Sequence, residues 1–175
     1  MSATRVGTRL LGAGSIIQTQ YFQTGALVSG STAIPYDDTI PQVSEGFEVM
    51  TLAITPAYST SLLLVEAVIN AAISEGSGPS PWLVAALFRD GAGNDALATA
   101  MQGLFMSSSV TAGGQQPNML LRHQMTAGST SAVTFRVRIG ESSGSTVNFN
   151  GDYNSAVRRF GGTYASSIRI TEIAA

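Results

Sequence analysis

The residue types that do chemistry are few in this chain and poorly spaced for it. A nucleophile–base relay needs a histidine beside a serine or cysteine, with a third group to orient it. The chain has one histidine and no cysteine. His123 sits among Leu121, Arg122 and Gln124 in a strand-like segment, where a structural or surface role outweighs a catalytic one. Without cysteine there is no thiolate nucleophile, no thiolate zinc site and no disulfide framework, and the redox compartment stays open. Carboxylates gather at Asp37-Asp38, with Glu45 and Glu48 downstream, and such oxygens suit a divalent cation. Adjacent aspartates point apart in an extended segment and form turns in a loop. A turn is therefore the expectation, and a cation at Asp37 and Asp38 is left open. The run Asp90-Gly-Ala-Gly-Asn-Asp95 has acidic ends but lacks the alternate ligand positions and closing glutamate of a calcium loop. Gly12-Ala-Gly14 lacks the downstream glycine and helix of a dinucleotide loop, and no phosphate-loop motif occurs.

Binding chemistry is better represented. All nine basic residues are arginine. Arg136, Arg138, Arg158, Arg159 and Arg169 could form a patch for phosphate or a sialylated sugar, although arginines on the wet face of a strand more often serve solvation or intersubunit pairing. Trp82, Tyr36, Tyr58, Tyr153 and Tyr164 offer rings for stacking on sugars, with core or interface the commoner use. A net charge of −2 gives no global pull toward nucleic acid. No catalytic, metal-binding or cofactor-binding residue is assigned, and the chain is expected not to be an enzyme.

The elements that must position these side chains are strands. From Gly46 to Ile73 two apolar segments flank a turn at Thr55–Ser61. In the first, Met50, Leu52 and Ile54 form a row with Glu48 at its wetter end. In the second, Leu63, Val65, Ala67, Ile69, Ala71 and Ile73 share one face, and Leu62, Leu64, Glu66, Val68 and Asn70 share the other. A period of two suits a pleated strand and not a helix. Further strands are expected at Ser15–Phe22, Gly25–Ile34, Trp82–Phe88, Met119–Thr126, Ser131–Glu141, Thr146–Asn150 and Tyr164–Ile173. Val133, Phe135, Val137 and Ile139 should point inward, with Thr134, Arg136 and Arg138 outward. Asp95–Met106 is open between helix, for its alanines, and strand. Glycine- and serine-rich turns without strand–helix alternation predict an all-β antiparallel sandwich, jelly-roll-like, over residues 15–175.

At 175 residues the chain fits one domain, which buries roughly 70% of its extended surface and needs no metal or disulfide for a core. Charged residues make up only 11%, against about 25% in ordinary domains, a composition suited to packing against copies of itself. Residues 1–14 lack a period and carry Arg5, Arg9 and Leu10-Leu11. They read as an attachment arm ordered by a partner. Met1–Ala13 has no apolar run of signal-peptide length, and no run approaches the ~18 apolar residues of a membrane span. The chain is expected to be soluble and made in the cytoplasm.

Three stretches carry a family likeness: IPYDDTIPQVSEGFEVMTLAITP at 34–56, LFRDG at 87–91 and GGTYASSIRITEIAA at 161–175, with AVTFRVRIG between them. With these the chain resembles a widespread group of tailed-bacteriophage virion proteins of the tail-fibre, head-fibre and decoration type, over about residues 15–175. The resemblance implies a β-sandwich head domain that assembles as a homotrimer in the virion, without enzymatic activity. Its partners would be other phage virion proteins of tail or capsid and a host-surface glycan or protein, with no nucleic acid and no membrane insertion. No family binding residue transfers, because the motifs look structural. A long repetitive shaft is missing. The first function implied is a tail-fibre or appendage component; the alternative is a capsid decoration or cement protein, or a head fibre, that stabilises the shell. A carbohydrate-active enzyme or lectin ranks behind both.

Two further expectations follow from the residues. Strands apolar on both faces near Leu62–Val65 and Trp82–Leu87 favour a trimer, since a lone sandwich would expose them. Ile168 and Ile170, on the face shared with Glu172, require the closing strand to be paired inside a sheet, while Ala174 and Ala175 look dispensable.

Overall fold

A computed structural model describes residues 12–73, 82–91, 93–103, 116–153 and 156–175. Among them are ten strands: β1 (Ile16–Thr24), β2 (Val28–Gly30), β3 (Phe47–Ile54), β4 (Leu62–Ile73), β5 (Trp82–Arg89), β6 (Ala98–Gly103), β7 (Asn118–Thr126), β8 (Val133–Glu141), β9 (Val147–Phe149) and β10 (Ser166–Ile173). A single 3-10 turn lies at Phe160–Gly162. No helix among the described residues is long and apolar enough to cross a membrane.

The long strand β4 organises one sheet. β10 pairs with its Leu62–Val68 portion and β7 with Leu62–Asn70, so the two lie on opposite edges. β1 adds outside β10, and β9 then β2 continue from Ala71–Ile73 at the far end. The second sheet runs β3-β8-β5-β6. All pairings are antiparallel. The two sheets make a jelly-roll-like sandwich, as the alternation predicts. Between them lies the core: Leu63, Val65, Ala67, Ile69, Ala71 and Ile73 of β4 meet Phe135, Val137 and Ile139 of β8, Leu83, Ala85 and Leu87 of β5, and Ile168 and Ile170 of β10. Each fully buried large aliphatic or Phe side chain contributes about 1.5–3 kcal/mol.

Three features depart from the sequence reading, and one segment that it left open is resolved. A register shift between Glu48 and Met50 in the β3–β8 ladder marks a β-bulge at Val49. The inserted residue turns Glu48 to the outer face while Met50 stays buried, so Glu48 does not share the row of Met50 and Ile54. Of the expected strand 25–34 only Val28–Gly30 pairs, and Ile34 instead enters a second core. Within Asp95–Met106, open between helix and strand in the sequence, the described residues hold the strand Ala98–Gly103, paired to β5. The second apolar face of β5 is covered largely from within the chain. Val84, Ala86 and Phe88 pack with Ile34 and Val43 of the loop before β3, and with Ala96 and Trp82.

Of the expected arm, residues 1–11 lie outside the described residues. Gly14 donates its N–H to Ala174 O at 2.8 Å, and Ala174 N–H donates to Ser15 O at 2.8 Å. Ala174 therefore extends the β1–β10 pairing by two backbone bonds.

Candidate interaction surfaces

The residues of the motifs are spent on the sandwich. Asp37 Oδ1 accepts from Thr39 N–H at 2.9 Å and from Thr39 Oγ1 at 2.6 Å, an Asx-type turn. These bonds hold the Asp37 carboxyl below the usual aspartate value. Glu45 Oε2 accepts from Gln42 N–H at 3.0 Å, and Gln42 Nε2 donates to Asp95 Oδ1 at 2.8 Å. Arg138 Nε and NH2 donate to the carbonyls of Glu45 and Gly46, both at 2.8 Å. The loop 34–46 is thus clipped to the 94–96 turn at one end and to β8 at the other. In LFRDG, Asp90 takes Arg136 Nε at 2.7 Å and NH2 at 2.9 Å, while Arg136 NH1 reaches Glu48 at 2.9 Å. The Arg136 guanidinium in turn depresses the Asp90 carboxyl. Asp37, Glu45 and Glu48 therefore serve three separate local bonds, and no group of three or more metal-ligating side chains occurs among the described residues.

Two glutamates are buried. Glu172, with no exposed surface, accepts from Gln18 Nε2 at 2.6 Å and from the N–H groups of Ala57 and Tyr58 at 2.8 and 3.3 Å. It ties the closing strand to β1 and to the β3–β4 turn. Glu141 accepts from Ser142 Oγ, Ser143 N–H and Oγ, and Ser145 N–H at 2.7–2.9 Å. Burial pushes both carboxyls up, but these hydrogen bonds outweigh it and leave both below the usual glutamate value. The unfolded chain therefore takes up protons first as pH falls. The stabilisation is complete above the unfolded value of about 4.3 and is lost as pH drops through the folded values. Thermal melts should hold level from about pH 7 to 5 and decline below about pH 4, with E141Q and E172Q flattening the decline; a wild-type melt unchanged to about pH 3 would contradict this.

The remaining candidates are dispersed. His123 is half-buried at the inner edge of β7, and burial, then the charge of Arg89, lowers its pKa. Neither influence gives it a carboxylate to work with. Of the rings, Tyr153 is buried, Tyr164 is half-buried with its hydroxyl inside, Tyr58 is exposed, and Tyr36 stacks on Trp82 at 4.7 Å between centroids. The five arginines do not form one patch. Arg136 and Arg138 lie on the outer face of the second sheet. Arg169 lies on the outer face of the first, where Glu66 bridges it to Arg122, the latter at 2.9 Å. Arg159 pairs with Asp152 in the loop after β9. On the first sheet, R169A should cost less than ~1 kcal/mol, because Arg122 keeps Glu66 paired. R122A with R169A should cost more than the two singles summed, since Glu66 is then left alone; additive melts would show that the three charges do not act as a set.

Two exposed features remain. One is a shallow cleft of about 290 Å³ on the outer side of the second sheet, lined by Pro35, Tyr36, Asp37, Pro41, Val84 and Met101 among others. Tyr36 is 58% exposed and Met101 54%, and Ile40 on the same loop is 55% exposed. The other is the loop after β9. Phe160 is 79% exposed and holds φ at +50°, followed by Gly161 and Gly162 at +63° and +92°. The loop is fixed in place: Phe160 O accepts from Thr163 N–H and Oγ1 at 3.1 and 2.8 Å, and Gly162 O packs so closely on Gly25 that an added Cβ there would lie 1.9 Å away. Arg158 lies over Gly162 and has no ion-pair partner among the described residues. The only sequence signal was an aromatic set between Arg-Arg and Gly-Gly.

No family model matches the chain, and no curated protein matches it in sequence. Among solved structures it is similar to the Eiger TNF of S. frugiperda, at 13% identity over 89% of this chain and 93% of the other, with a TM-score of 0.47. It is similar to the C-terminal domain of EclA, a sugar-binding protein, at 14% identity over 85% and 83%, TM-score 0.34. It is also similar to the VP2 subviral particle of infectious bursal disease virus, at 13% identity over 92% of this chain but 39% of that one, TM-score 0.36. At these levels none transfers a ligand, a partner or a function to this chain.

Proposed function

We propose that this chain is a non-enzymatic structural protein of a tailed-bacteriophage virion, a homotrimeric tail-fibre or appendage component that contacts the host surface. One observation carries the reading. The residues behind the resemblance, among them Asp37, Gln42, Glu45, Gly46, Asp90 and Glu172, hold the loops and strands of one sandwich together. A resemblance carried by such residues is one of scaffold, and scaffold is what a virion protein supplies. The low charge and the exposed apolar groups at Tyr36, Ile40, Met101 and Phe160 support contact with other protein surfaces.

Immunogold labelling of particles of the encoding phage tests the proposal: the expected label is on the tail or an appendage, and unlabelled particles would contradict it. Label confined to the capsid shell would favour a decoration protein. Purified protein should block adsorption if it contacts the host; undiminished adsorption would remove that part.

A further inference from the structure

We propose that copies of this chain join head to tail, with Phe160 of one copy seated in the Tyr36 cleft of the next and Arg158 set against Asp37 and Asp38. The inference rests on the self-assembly in the function proposed above and names the contact. Phe160 is the most exposed large apolar side chain among the described residues and sits in a left-handed conformation that bulky residues avoid. Strain kept at an exposed, firmly anchored position points to use. A phenyl ring fits the cleft, since a cavity of about 150 Å³ already holds benzene and this one measures about 290 Å³. Its walls are Pro35, Pro41, Val84 and Met101 with the Tyr36 ring, apolar and aromatic partners for Phe.

The charges match. Arg158, two positions before Phe160 in the chain, has no ion-pair partner among the described residues and lies over Gly162, whereas Asp37 lines the cleft, Asp38 follows it, and both are exposed. The two surfaces belong to different parts of the molecule: the cleft lies on the outer side of the β3-β8-β5-β6 sheet, the loop beside β1 and β9. The contact is therefore heterologous and leaves nothing unsatisfied only when the copies close into a ring, such as a trimer. A two-fold contact through the outer face of the first sheet is less suited. It would bring Arg122 and Arg169 of one copy toward the same arginines of another, with Glu66 already engaged between them.

The absence of native cysteine gives a clean test. D38C and R158C, co-expressed and treated with a short bis-maleimide linker, should give a cross-linked dimer, while neither variant alone should. The double variant should give a ladder that stops at three. F160A should lose the trimer in light scattering while keeping the folded circular-dichroism spectrum. F160G, relieved of the left-handed strain, should likewise be folded yet monomeric, both with melts no longer dependent on protein concentration. A trimeric wild type whose F160A variant stays trimeric, with no D38C–R158C product, would overturn this contact and leave self-assembly standing. A monomeric wild type at micromolar concentration would overturn the assembly itself. A ladder running past three would overturn ring closure.

Discussion

A chain ending at Ser167 should yield no soluble, folded protein. β10 is an interior strand, paired with β1 on one edge and β4 on the other, so its loss opens two ladders. Ile168 and Ile170 are both fully buried, and together they are worth roughly 3–6 kcal/mol. Glu172 leaves with them, and the N–H groups of Ala57 and Tyr58 lose their acceptor, at about 0.5–1.5 kcal/mol for each bond lost from this exposed turn. The sum, before the two opened ladders are counted, is already comparable with the lower part of the roughly 5–15 kcal/mol that a whole domain has to spare. Removing Ala174 and Ala175 alone breaks two backbone bonds to Gly14 and Ser15 and should cost about 1–2 kcal/mol, with the fold retained. Circular dichroism and size-exclusion chromatography of the two truncations check both statements. A folded chain ending at Ser167 would mean that the strand is dispensable.

The second large effect is expected at Gly46, where the loop over β5 enters β3. Its φ is +61°, and an added Cβ would lie 2.7 Å from Ile139 O and 2.9 Å from Ile34 Cδ1. Gly46 O also accepts Arg138 NH2. G46A therefore combines left-handed strain with overpacking against backbone, about 2–5 kcal/mol in all. The damage should concentrate on the loop, because Ile34 is displaced from the small core with Val84 and Phe88. A urea midpoint equal to wild type would show that the loop is not braced as described.

Much of this fold is written in period two. The bounds of Phe47–Ile54 and Leu62–Ile73, and the inward set Phe135, Val137 and Ile139, follow from alternation alone. What escaped is what alternation cannot encode. A single inserted residue at Val49 flips Glu48 without changing the look of the segment. The two-sided apolar run of β5 states that both faces are covered, not by what; the cover is Ile34 and Val43, some forty to fifty residues upstream and in the same chain. Glu172 reads as a wet residue beside isoleucines until the turn N–H groups that it accepts are in place. Phe160 belongs to no periodic element, and its exposure depends on three successive positive φ values that residue types only hint at.

Cryo-electron microscopy of the intact virion tests the central claim most directly. The expected reconstruction contains this two-sheet sandwich in three copies around an axis, mounted on the tail or an appendage. A complete reconstruction of the particle in which no density fits the sandwich would contradict the claim that the chain is a virion structural protein.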